Sequence, residues 1–340
     1  MHRADKAVLR LASGLGLAVL LAYGLPVSLS FAVCVMATLV LCRQGPPIPL
    51  VKGVVLTAGA GALVGAGILM VPLLEHFPLA GVMLTGAILY ALFRRAGERV
   101  KPGTMVLVIA ITAIPVAGVA EQALASQLAK SFGLGIGTGI LVSSLAHALF
   151  PDPPAPPGDA PPPAGAAADG AQALQATLVV LPVFVLALTN PSFYLAAIIK
   201  AVGLAQQAGA ARAGSAGRQL VGGTLVGAWL AALAWLGLSL RPNLMMLALW
   251  VALAALWCGA RLFGVKASAQ PPSFWLNALL TMLILLGPAI EDSAAGKDVP
   301  RASAIRVTVM VALALYAWAT VWVLERWRAA RARARTRRFS

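Results

Sequence analysis

One lysine lies within an otherwise apolar stretch of this sequence. If the apolar run 191–207 is a membrane helix, Lys200 is near its middle. A charge at that depth in a bilayer is costly and by default indicates a functional site, so we expect Lys200 to bind a substrate carboxylate. Asn190 and Pro191 form a helix break at the start of the run, where an unwound segment could expose backbone groups to a ligand. The alternative is that Lys200 extends to the membrane interface.

Two further cations, Lys52 and Arg218, occupy matching places in the sequence. Each precedes an apolar run, and each is followed nine residues later by a glycine, Gly61 or Gly227. Cations at the inner mouth of a transport path would attract organic anions, so both are candidate substrate-binding residues. Anchoring of the helix ends by positive charge is the simpler interpretation.

Carboxylates lie near the ends of apolar runs rather than inside them. Glu291 and Asp292 precede the last apolar run of the chain, Arg306 lies at its beginning, and Glu121 has the equivalent place in the first half. Carboxylates at such places could take up and release protons, and Arg306 could pair with them or bind an anion. A solvated loop would contain the same residue types.

Two apolar runs combine prolines with polar side chains. Thr112 and Pro115 lie in one of them, and Asn277, Thr281 and Pro288 lie in the other. Kinked helices with a few hydroxyl and amide groups are suited to line a transport path, although passively packed helices contain the same residues.

The sequence contains no motif for ATP hydrolysis or for the common hydrolytic enzymes. It lacks the G-x-x-x-x-G-K-[ST] loop, the H-E-x-x-H zinc motif and the G-x-S-x-G nucleophile elbow. Its histidines, His2, His76 and His147, are far apart, so no metal site is expected. We therefore expect neither an enzyme nor a cofactor.

The composition indicates that much of the chain lies in a membrane. Of its 340 residues 60% are hydrophobic and 11% are charged, and the mean hydropathy is +0.88. Soluble domains have about 25% charged residues and could not bury so much apolar surface. The net charge of +15 does not indicate nucleic-acid binding, because the basic residues lie in short loops and in a tail, where they would face anionic lipid.

The apolar runs predict an all-α polytopic membrane protein with about twelve transmembrane helices. If the N-terminus is cytoplasmic and the loops alternate between the two sides, 21 of the 26 Lys and Arg residues are cytoplasmic, which also predicts a cytoplasmic C-terminus. The predicted spans are 8–24, 27–42, 51–72, 78–94, 103–120, 131–150, 172–189, 191–207, 218–240, 242–263, 273–290 and 304–325.

The chain divides into two similar halves. Residues 151–170 are rich in proline and alanine and predict a cytoplasmic linker between a first six-helix repeat, 1–150, and a second, 171–325. Residues 326–340 form an Arg-rich cytoplasmic tail. Prolines, glycines and basic residues recur between the halves at an offset of 164–166 residues. The offset then rises, so that Pro102 matches Pro271 and Pro115 matches Pro288. Since each half has six spans, we expect parallel repeats with the substrate site at their interface.

Glycines four residues apart form a stripe in two matching spans. Gly61 and Gly65 lie in the third predicted span, and Gly223 and Gly227 lie in the ninth. Such glycines allow helix backbones to approach closely in a membrane. Helix packing is their expected role, and a sliding surface between bundles is the functional alternative.

Several of these elements together resemble a known superfamily. They are the sequence LRLA at 9–12, the break at Pro26, and Lys52 or Arg218 ahead of a small-residue stripe such as GGTLVG at 222–227. The chain resembles the fusaric acid resistance and aromatic acid exporter superfamily, and in particular its compact members, which lack a large cytoplasmic domain between the halves. The resemblance covers nearly the whole chain, with one family unit in each half.

The resemblance implies an efflux transporter of the bacterial inner membrane that exports aromatic carboxylic acids or similar organic anions. Such proteins are thought to use the proton gradient and to work with a periplasmic membrane-fusion adaptor and an outer-membrane channel. Membrane lipid and a second copy of the chain are further expected partners. Two alternatives are an anion channel of the same superfamily and a non-transporting membrane scaffold that binds partners through its linker and basic tail.

Overall fold

The structure, a computed structural model, describes residues 2–43, 48–96, 102–151, 170–210 and 213–336. These residues form twelve α-helices and contain no strand. Most of the predicted linker and the last four residues of the predicted tail lie outside the described residues. The helices are α1 (Arg3–Gly24), α2 (Ser30–Leu41), α3 (Leu50–His76), α4 (Pro78–Ala96), α5 (Pro102–Ala120), α6 (Gln122–Leu149), α7 (Gly170–Thr189), α8 (Pro191–Ala210), α9 (Ala213–Leu240), α10 (Leu244–Leu262), α11 (Pro272–Ala294) and α12 (Val299–Thr336).

Within the described residues, eight helices are long and apolar enough to cross a membrane. They are α1, α4, α6, α7, α9, α10, α11 and α12. Helices are the form expected of such segments, because the bilayer core offers no hydrogen-bond partner to an unpaired backbone. The prediction of an all-α polytopic membrane protein is confirmed, and spans beyond these eight stay a prediction.

Helix α2 is the shortest element of the described chain. Its 12 residues extend about 18 Å at ~1.5 Å per residue, which is less than the ~30 Å hydrocarbon layer. Every residue of α2 except Val40 is buried, and residues 25–29 before it are not helical. The predicted run at 27–42 is therefore a turn followed by a short core helix.

Prolines begin several of the helices. Pro78, Pro102 and Pro191 are the first residues of α4, α5 and α8. A proline at this position loses no helical hydrogen bond, because the first N–H groups of a helix have no partner within it. Pro115 and Pro288 lie inside α5 and α11, where each removes one backbone donor from the helix.

The middle of the bundle is formed by α2, α5, α8 and α11. In this region α2 packs on α11 and α5 packs on α8, while α1 packs on α10 and α4 packs on α7 to either side. Burial agrees with this arrangement. In α11, 78% of the most apolar stretch is buried, whereas in α12 only 28% of the most apolar stretch is buried. Helix α11 is thus a core helix, and α12 lies at the periphery.

The remaining packing is similar in the two halves of the chain. Helix α3 packs on α5 and α6, and α9 packs on α11 and α12. Helix α2 packs on α1 and α6, and α8 packs on α7 and α12. A polar side chain on α8 or α11 therefore lies close to where the two halves meet.

Candidate functional site

Lys200 is buried in the middle of α8. It is the tenth of the 20 residues of this helix, and its relative exposure is 2%. The ammonium group donates hydrogen bonds to Asn277 Oδ1 and to Thr281 Oγ1, both on α11. The side chain therefore turns inward to the core helix and does not extend to a surface.

The three side chains form one hydrogen-bonded cluster, which we call the lysine cluster (Lys200, Asn277 and Thr281). The Thr281 hydroxyl donates to the backbone oxygen of Asn277 at 2.6 Å, so its lone pairs can accept from the ammonium. The Asn277 amide nitrogen donates to the backbone oxygen of Leu220 on α9 at 3.4 Å. Asn277 and Thr281 each donate one hydrogen bond to the backbone, and this orients their side-chain oxygens toward the lysine.

The lysine cluster contains a cation and no anion. An ammonium has three donors, and two of them are directed at neutral oxygens of α11. In the described part of the chain, no carboxylate forms an ion pair with Lys200. A buried charge without an opposite charge is unfavourable, so this site favours the arrival of an anion that can take the remaining donor. Chemically the cluster can bind a carboxylate or a similar group.

The sequence of α11 accounts for the geometry of the cluster. Asn277 and Thr281 are four residues apart, which places them on one face of the helix. Both are buried, with relative exposures of 2% and 0%. Both side chains have their hydrogen-bond partners within the protein, as buried polar groups require.

The glycine stripe of α9 lies directly behind the cluster. A Cβ atom on Gly223 would be 2.7 Å from Asn277 Nδ2, and a Cβ atom on Gly227 would be 2.5 Å from both Ala278 O and Thr281 Cβ. Only glycine allows α9 to approach α11 this closely. The predicted packing role of the stripe is confirmed for α9. Gly61 and Gly65 lie in α3, but the structure does not describe side-chain contacts at these two positions.

The corresponding positions of the first half are mostly apolar. The offset of 165 that relates Pro191 to Pro26 relates Lys200 to Val35. The offset of 169 between Pro271 and Pro102 relates Asn277 to Val108 and Thr281 to Thr112. Val35, Val108 and Thr112 are all fully buried, and the Thr112 hydroxyl bonds the Val108 backbone oxygen of its own helix at 2.7 Å. The first half thus has no counterpart of the lysine cluster at these positions, although it has a buried cation elsewhere, Arg10 on α1.

A second group of charges joins the end of α11 to the start of α12. Asp292 is buried, and its carboxylate lies 2.6 Å from Arg306 Nη2 and 3.5 Å from Lys297 Nζ. Glu291 beside it is exposed. Arg306 therefore pairs with a carboxylate, one of the two roles predicted for it, and Asp292 is held in an ion pair while Glu291 faces outward.

The other predicted site residues lie apart from the lysine cluster. Asn190 precedes α8, and its side chain accepts from the Phe193 backbone N–H at 3.3 Å, so it acts as a helix cap. Glu121 is exposed between α5 and α6, and Lys52 is exposed near the start of α3. Arg218 is exposed on α9 and lines a separate cavity between α9 and α12.

The apolar run around Lys200 predicts its depth but not its contact with α11. Asn277 and Thr281 were expected only as lining residues, although their four-residue spacing in an apolar run is a detectable sign of a shared polar face. No local pattern indicates that Trp318 and Trp322 share a cavity with Arg218.

Part of the first half of the chain resembles a family of known proteins. A family model described as a protein of unknown function, DUF2955, matches residues 7–146. Neither the curated proteins nor the solved structures contain a match. The matched residues lie within the first predicted repeat.

Proposed function

We propose that this protein is a secondary transporter of organic anions, in which Lys200 binds the anionic group of the substrate between the two halves. The observation that carries the proposal is the burial of the Lys200 ammonium at mid-helix among neutral oxygen partners. Intramembrane charges of this kind commonly lie on substrate pathways.

The helix packing supports two six-helix repeats, which we propose are parallel. Each helix of the first half has its counterpart six helices later. The contacts α3–α5, α3–α6 and α2–α6 correspond to α9–α11, α9–α12 and α8–α12, and the structure contains all of them. The contact α2–α11 between the halves has α5–α8 as its counterpart, and α1–α10 has α4–α7. The family model matches residues 7–146, which is about the length of one six-helix repeat. Substrate sites of repeat-built transporters lie at the interface of the repeats.

The direction and the substrate class are proposed from the sequence. The resemblance to the aromatic acid exporters favours efflux of aromatic carboxylic acids across a bacterial inner membrane, with proton coupling and a periplasmic adaptor. The excess of basic residues on one side supports cytoplasmic termini. Glu291 is the candidate for proton exchange at the outer end, since Asp292 is engaged by Arg306.

Lys200→Met tests this proposal, because it removes the charge while keeping an unbranched side chain of similar length. We expect loss of labelled aromatic acid uptake into inverted membrane vesicles, with the amount of membrane-inserted protein unchanged. Lys130→Met is the matched control, since Lys130 is exposed on α6. Normal uptake by Lys200→Met would refute the proposed role of Lys200.

A channel for organic anions is the second candidate function. It is favoured by the absence of a carboxylate partner for Lys200 in the described residues, because a coupled transporter needs a proton acceptor whose charge is linked to the substrate site. The same vesicles separate the two functions. Uptake that requires an imposed proton gradient indicates coupled transport, whereas uptake that follows only the substrate gradient indicates a channel.

A further inference from the structure

A cavity of about 850 Å³ lies between α9 and α12, outside the lysine cluster. One wall is formed by α9 around Arg218 and Val221, and the other by α12 from Leu315 to Ala329. Trp318 and Trp322 line it and are 39% and 42% exposed. The cavity is therefore a groove in the outer surface of the helix bundle, on the side of a peripheral helix.

The groove changes from apolar to charged along its length. Val221 and Leu315 line the apolar end, and Glu325 and Arg326 line the charged end, about two turns of α12 beyond Trp318. Arg218 lies between them, because a Cβ atom on the adjacent Gly217 would be 3.0 Å from the Trp318 ring. Arg218, Glu325 and Arg326 together leave one net positive charge in the lining.

The dimensions of the groove fit one leaflet of a bilayer. From Leu315 to Arg326 the helix extends about 16 Å, at ~1.5 Å per residue. Half of the ~30 Å hydrocarbon layer is about 15 Å. A single aromatic ring would occupy only a small part of this length, whereas an acyl chain would fill it.

The charged end has the features of a membrane interface. The Arg326 guanidinium lies 4.1 Å from the centre of the Trp322 ring, so the ring holds the charge at the mouth of the groove. Tryptophans concentrate at the level of lipid headgroups. Basic pockets between membrane helices bind the headgroups of anionic lipids, and arginine matches the geometry of a phosphate.

We infer that the groove between α9 and α12 is a binding site for an anionic phospholipid, whose phosphate pairs with Arg218 and Arg326 and whose acyl chain lies along Trp318 and Leu315. This site is separate from the lysine cluster and does not depend on what the protein transports. It assigns Arg218 to lipid rather than to substrate.

Native mass spectrometry of the full-length protein, purified in detergent with added phosphatidylglycerol or phosphatidylcholine, tests the inference. We expect wild type to retain phosphatidylglycerol preferentially. Arg218→Gln with Arg326→Gln should weaken phosphatidylglycerol binding about 25-fold, since each basic side chain near anionic lipid contributes roughly fivefold. Val221→Trp should lower retention of both lipids, because it fills the apolar part without changing charge.

Arg94→Gln with Arg95→Gln is the matched control, because these two exposed arginines end α4 and lie outside the groove. The inference is overturned if wild type shows no preference for phosphatidylglycerol or if the control weakens binding as much as the groove variant. It is also overturned if benzoate displaces the lipid, or if the groove is covered by a second copy of the chain and Val221→Trp dissociates a dimer.

Discussion

The closest helix approach at the lysine cluster is at Gly227, and its replacement by alanine is the most direct test of the packing. The added Cβ atom would lie 2.5 Å from the backbone oxygen of Ala278 and 2.5 Å from the Cβ atom of Thr281. Neither atom is at the end of a flexible side chain, so α9 and α11 must separate. Overpacking of this kind costs about 1–3 kcal/mol. The separation would also displace Thr281 from the Lys200 ammonium.

Gly133→Ala provides the matched control, because it makes the same change in α6 and a Cβ atom there meets nothing within 4 Å. Alanine is the better helix former by about 1 kcal/mol, so Gly133→Ala should be neutral or stabilising. The chain carries its own reporters, since Cys34 and Cys258 are buried and we expect them to react with a thiol-sensitive dye on unfolding, above the background from the partly exposed Cys42. We expect a lower apparent unfolding temperature for Gly227→Ala and an equal or higher one for Gly133→Ala. Equal temperatures for Gly227→Ala and wild type would refute the close approach of α9 to α11.

Two further predictions concern the polar contacts of α11. Asn277→Leu should raise the KM for the transported anion, because the Lys200 ammonium loses an oriented partner; an unchanged KM in vesicle uptake would contradict this. Asp292→Asn should lower the apparent unfolding temperature by removing the 2.6 Å ion pair with Arg306, at a cost of about 1–3 kcal/mol. Lys297→Gln should have little effect, because Lys297 is 67% exposed and exposed pairs contribute about 0–1 kcal/mol. If Lys297→Gln destabilises as much as Asp292→Asn, the buried pair with Arg306 is not what stabilises the α11–α12 connection.

Hydrophobic runs predict the part of a helix that lies in lipid, and they miss helical turns beyond it. The sixth predicted span begins at residue 131, whereas α6 begins at Gln122. The intervening residues include Gln127 and Lys130, which form helix well but lower the hydropathy. The predicted tail shows the same effect, since α12 continues through its arginines to Thr336.

The depth of Lys200 was predictable, whereas its partners were not. A charge in an apolar run is visible in a single segment, but Lys200 and Asn277 are 77 residues apart in the chain. Their contact depends on α8 packing on α11, which no local pattern specifies. For the same reason the sequence suggested an anion near Arg218 but not the tryptophans of α12 that share its groove.

The unequal distribution of polar groups between two similarly packed halves limits where an anion can bind. Helices α2 and α8 both lie in the core, yet Val35 stands where the offset places Lys200. A buried lysine is costly, and packing alone is satisfied by valine, as the first half demonstrates. The surrounding elements nevertheless accommodate the charge. Asn277 and Thr281 direct oxygens at it, and Gly227 lets α9 close over them. Three helices of the second half thus contribute to the Lys200 site, whereas the equivalent positions of the first half do not, so we expect one such site per chain.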